Sequence, residues 1–238
     1  MAALTPHFGT DAPPRSVLGR AEVRLGIDGR PVPRLRGRLH QAAVVPTAAL
    51  GITAMLIADG LPARAATGVF TLSIVAMLTA SAVYHCHCAT HEMLVAARRV
   101  DHATILVAIA GTQTAFWVLV GPPSITPIVV AGVWLVAGAG FLYKVRRLDE
   151  TRSNGSWLFF VLGWSGSALV PFLLEAGLVE TGLVVAGGGA YTVGGIILFR
   201  KAGNLWPGVA GYHEVWHALT IVGFVCHGIA IARLTGAA

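Results

Sequence analysis

Two histidines open the last apolar segment of the chain, in His213-Glu214-Val215-Trp216-His217. Residues four apart on a helix share a face, so the two imidazoles stand side by side. A pair at that spacing can chelate a divalent ion, and imidazole is a ligand that Zn²⁺ accepts readily. A third ligand has to come from elsewhere. The strongest candidate is His85, in Ser81-Ala82-Val83-Tyr84-His85, with Asp101 further downstream. Three neutral imidazoles would leave the ion its full charge and one open position, the arrangement that activates water at neutral pH. Asp101 would accept a hydrogen bond from that water and serve as general base. Ser81 shares a helix face with His85, where its hydroxyl could hold a water or orient a carboxylate.

Other residues resemble ligands without matching the geometry. His85-Cys86-His87-Cys88 alternates ligand types, but a helix turns adjacent residues about 100° apart, so Cys86 and His87 point away from His85. His91 and His102 fall at a segment boundary, where solvation or capping is the default role. His227 lies close to the face of His213 but about 21 Å further along a helix, too far for the same ion. It reads instead as a polar packing partner. His213-Glu214-Val215-Trp216-His217 also fits H-E-x-x-H, in which the glutamate is a protease's general base. An intramembrane protease would draw a further ligand from a later helix, and none follows.

These residues need elements to position them, and the composition says which. The chain has 238 residues, 55% hydrophobic and only 12% charged. A soluble domain carries about 25% charged residues, and several apolar runs here reach the ~20 residues needed to cross a bilayer. The expectation is an all-α membrane protein, a bundle of seven transmembrane helices over roughly 41–59, 66–88, 101–120, 125–143, 156–174, 180–199 and 212–233. Glu175 and Glu180 crowd the short connection between the fifth and sixth. Glycines 187, 188, 189, 194 and 195 mark the sixth as a close-packing face. Residues 1–39 form a basic, Pro-containing tail that reads as largely irregular, ahead of the membrane domain at 40–238. Cys86, Cys88 and Cys226 are too few and too apolar in context for a disulfide framework.

The positive-inside rule orients the bundle. With the N-terminus cytoplasmic and the C-terminus outside, only Arg64 and Arg233 of the 17 Lys and Arg fall on the outer side. Topology thus accounts for the basic balance, and nucleic acid is not an expected partner. The same topology puts Ser81, His85, Asp101, His213 and His217 at one depth, near the cytoplasmic face. Ionisable residues inside spans are costly and mark functional interiors.

Taken together, Ser81-x-x-x-His85, Arg99-Val100-Asp101-His102, Ile109-Ala110-Gly111-Thr112 and His213-Glu214-x-x-His217 resemble the hemolysin-III family. That family is the bacterial branch of the progestin and adipoQ receptor superfamily, which includes the adiponectin receptors. The resemblance covers about residues 40–233. It implies a seven-helix bundle with an intramembrane zinc held by His85, His213 and His217, Asp101 on the zinc-bound water and Ser81 completing the polar cluster. It also implies kinship with alkaline ceramidases, and it gives Glu214 no catalytic role. The sequence departs from the family's T-Y-T-P at Thr112-Gln113-Thr114-Ala115, which bears on the shape of the third span.

Two classes of function follow. The first is a zinc-dependent hydrolase of a lipid-like amide or ester, reached from the bilayer of the cell (plasma or inner) membrane and serving membrane lipid homeostasis. The second is a non-enzymatic regulator, receptor or cytolytic pore in which zinc is a structural clamp. Few polar residues in the fourth to sixth segments speak against a pore. A retinal protein is disfavoured because no lysine lies in the last span, and haem ligation would leave Asp101 and Ser81 unexplained. Neither main reading requires a particular oligomeric state.

Overall fold

Helix length and hydropathy define the architecture. The computed structural model describes residues 25–27, 31–148, 155–202 and 205–236. Seven helices are long and apolar enough to cross a membrane: Arg38–Ile57, Gly60–His87, His91–Val120, Thr126–Arg147, Trp157–Ala176, Leu178–Arg200 and Tyr212–Leu234. They alternate in direction, so the second span ends where the first, third and seventh begin.

The helices reach beyond the apolar runs. The second starts at Gly60 rather than near 66, with Arg64 inside its first turns, and the third starts at His91 rather than near 101. Thr90 caps that third helix, its hydroxyl accepting the Met93 N–H at 3.3 Å. Arg98 and Arg99, in the gap between the second and third apolar runs, lie within the third helix, where Arg98 is buried.

The second and third spans are the most buried of the seven. Ile74, Leu78, Phe116 and Trp117 from these two form one core with Leu173 and Phe224. Gln113 is buried in the third span and donates to the Leu162 carbonyl and to Ser165 Oγ of the fifth. The fifth span relaxes there into a 3-10 turn, Gly166–Leu169, just before Pro171, which has no N–H to give. Gly177 alone separates the fifth and sixth spans, and Glu180 in the sixth pairs with Arg233 of the seventh at 2.7 Å.

The glycines of the sixth span divide by face. A Cβ at Gly187 would run into the His227 ring and the Gly223 carbonyl, and one at Gly194 would meet Trp216, both on the seventh span. One at Gly195 would meet Phe160 of the fifth. Gly188 and Gly189 face open space. Overfilling a close contact costs about 1–3 kcal/mol, so Gly187→Leu is expected to lower the thermal midpoint of detergent-purified protein. Gly188→Leu should leave it unchanged, and equal effects of the two would refute this packing account.

Candidate metal centre

His85, His213 and His217 meet at one end of the bundle. Each offers a ring nitrogen, and the three nitrogens lie within 4.8 Å of one another. His85 Nε2 and His213 Nε2 are 3.2 Å apart. Two nitrogens held at ~2.0–2.1 Å by a tetrahedral ion would stand about 3.3 Å apart. The rings also cross at steep angles: 81° for His85 and His213, 70° for His213 and His217, 58° for His85 and His217. Imidazole lone pairs lie in the ring plane, so crossing planes can share one point. His217 Nδ1 is buried and makes no hydrogen bond. Three imidazoles without a thiolate suit zinc with an open position, and these residues fit that ion.

Local structure explains the convergence. His213 and His217 occupy the first two turns of the seventh span. The second span ends in a π turn, Val83–His87, that carries His85. A π turn is wider than an α turn, which re-aims His85 relative to Ser81; such turns recur at functional sites. Gly37 packs against it from the chain before the first span. Its φ of +78° lies in the left-handed region, and a Cβ there would collide with the His85 side chain and Cys86 Sγ. Glycine is required on both counts.

Ser81 and Asp101 sit in the same end of the bundle, both buried. Ser81 Oγ is 2.8 Å from His40 Nδ1. Asp101 Oδ2 lies 3.3 Å from His102 Nδ1. His102 is therefore a partner of Asp101 rather than a solvated boundary residue, while His91 is exposed at the start of the third helix.

The remaining ligand-like residues are engaged elsewhere. Cys86 Sγ donates to the Arg36 carbonyl and Cys88 Sγ to the carbonyls of Val83 and Met93. His87 Nε2 is 3.0 Å from Gln41 Nε2. His227 Nε2 donates to the Val184 carbonyl at 3.1 Å and packs between Phe116 and Tyr191. Glu214 is spent on structure: one oxygen accepts the Gly211 N–H at 2.6 Å and the other takes Arg36 Nε at 2.5 Å.

Two residues of this site escaped the sequence reading. Arg36 belongs to the basic tail, yet it grips Glu214, and the neighbouring Arg34 and Leu35 N–H groups donate to the carbonyls of Gly208 and Val209. His40 opens the first span, is 2% exposed, and stacks on His217 with centroids 3.8 Å apart and planes 15° apart. The signal for His40 was topological: the first span begins at the level where the second ends and the seventh starts.

These features define the class: a multi-pass, seven-span membrane protein with a histidine cluster at one end of its bundle. The profile of a family described as "Haemolysin-III related" matches residues 30–228, and the chain belongs to that family. Among its relatives, the "Hemolysin-3 homolog" of Bacillus subtilis (strain 168) is 27% identical over 160 residues, 65% of this chain and 70% of that protein. The "Hemolysin-3" of Bacillus cereus is 28% identical over 127 residues, 52% of this chain and 54% of that protein. The profile match begins inside the tail and takes in Arg36, Gly37 and His40.

Proposed function

We propose that this chain is a zinc-dependent hydrolase of a lipid-like amide or ester, working at the cytoplasmic side of the cell membrane in lipid homeostasis. The observation that carries this reading is the convergence of His85, His213 and His217 from two distant spans. A zinc ion there would supply Lewis-acid activation of water and of a substrate carbonyl. Asp101 would take the proton from water, with His102 Nδ1 3.3 Å from its carboxylate. Ser81, tethered to His40, would complete the polar surroundings of the three histidines. A substrate with an acyl chain would approach between the spans, since Gly37 packs against the side chain of His85 ahead of the first span.

The first test is the zinc content of detergent-purified protein by elemental mass spectrometry, for wild type, His85→Ala and His213→Ala. About one zinc per chain, lost in both variants, is expected of a site whose three protein ligands are all needed. Wild type that carries no zinc and takes none up when supplied would end this reading. Hydrolysis of lipid amides and esters is the second assay. The names of the two hemolysin relatives favour the other class in its cytolytic form, in which zinc would be a structural clamp. Zinc-loaded protein without any such hydrolysis would point there.

A further inference from the structure

The strongest uncommitted group in the molecule is His40. Its side chain is buried, its Nδ1 is tied to Ser81, and its Nε2 has no hydrogen-bond partner. A fourth imidazole this close to the other three invites the idea of a fourth ligand. The ring geometry rules that out while His217 serves as one. A ligating imidazole needs the ion in its own plane. Rings stacked at 3.8 Å with planes 15° apart send their lone pairs along nearly parallel lines, so both cannot end on one ion. The three histidines of the cluster cross at 58° or more and can.

We infer that His40 is a positioning residue for the metal site: its ring is a backing plate that fixes the plane of His217. This rests on the zinc reading above and deepens it. A histidine ligand is useful only if its lone pair is already aimed, and partners that orient the ring are worth about 10–100-fold in metal affinity. Usually that partner is a hydrogen-bond acceptor on the other ring nitrogen. His217 Nδ1 has no hydrogen bond to fix the ring, so the stacked face of His40 does the orienting, whichever of the two nitrogens faces the ion. His40 is itself held three ways. Ser81 fixes its Nδ1, Gly37 anchors the preceding turn against His85, and Arg36 locks that turn to Glu214. The first span is thereby part of a site whose ligands all lie on the second and seventh. Because His40 does not ligate, the fourth coordination position stays available to water or substrate, as a catalytic site requires and a structural one does not.

The test separates the ring from its polar arm. His40→Phe keeps a stackable ring and loses the bond to Ser81; His40→Asn keeps a polar arm and loses the ring; His40→Ala loses both. Zinc affinity is read by competition with a chromophoric chelator, and site geometry by the visible absorption of cobalt(II)-loaded full-length protein. We expect a zinc Kd about tenfold higher or more in the alanine and asparagine variants, with an altered cobalt spectrum. The phenylalanine variant should keep near-wild-type affinity and spectrum. Alanine and asparagine variants that bind zinc like wild type, or a phenylalanine variant as weak as alanine, overturn the inference. Should the alanine variant fail to fold, phenylalanine against asparagine decides it. Wild type that binds neither metal overturns the zinc reading itself, and this inference falls with it.

Discussion

Arg36→Ala is expected to destabilise the bundle by about 3 kcal/mol, because it leaves Glu214 charged, buried and without its ionic partner. The Glu214 side chain is 3% exposed and that of Arg36 16%, so water compensates little for the lost guanidinium. The carboxylate would retain only the Gly211 N–H. Denaturant or thermal unfolding in detergent, followed by helical circular dichroism, measures the loss. Glu214→Ala should cost at least as much, since it removes the helix-opening hydrogen bond as well. The double variant should cost less than the two singles added, because the penalty of a stranded charge disappears once both partners are gone. Arg36→Ala within about 0.5 kcal/mol of wild type would place the pair among ordinary surface salt bridges, which are worth little. The same variant should weaken metal binding, since Arg36 adjoins the glycine that rests on His85.

Why Arg36 was illegible is instructive. A tail rich in Arg and Pro carries the composition of an irregular segment, and composition averages over the few residues that dock. Residues 31–37 dock because the chain between the sixth and seventh spans offers free carbonyls at Gly208 and Val209 and because Glu214 needs a cation. Those are partners distant in sequence, invisible to any local pattern; most of the tail lies outside the described residues. The seven spans were legible for the opposite reason, since bilayer thickness imposes a length and hydropathy that each segment must satisfy by itself. Their ends were not, because a helix continues past the apolar run until a cap stops it, as Thr90 does ahead of Arg98 and Arg99. The trio of histidines was legible from spacing within one helix and depth across helices. His40 has no spacing partner, and only depth could have revealed it. Spacing within one helix could not show the partners of the polar neighbours: Ser81 bonds His40 of the first span, and His102 stands beside Asp101.

Asp101→Asn is expected to cut lipid amide or ester hydrolysis by about 10²–10⁴-fold while leaving the zinc content unchanged. Asparagine has the shape of aspartate and can still face His102, but it cannot accept a proton at neutral pH. Asp101 is not among the three converging ligands, so metal loading should persist in the variant. Stability should hold or rise, because burying a carboxylate, 8% exposed here, costs desolvation that a neutral amide of the same shape avoids. Loss of turnover at intact zinc content and undiminished stability is the signature of a group kept for chemistry rather than for folding. Metal analysis, a melting curve and an initial rate on one preparation provide it. An Asp101→Asn protein that turns over like wild type would remove the general base from the mechanism. One that loses its zinc would instead make Asp101 part of the metal's support, and the open position would then need a different proton acceptor.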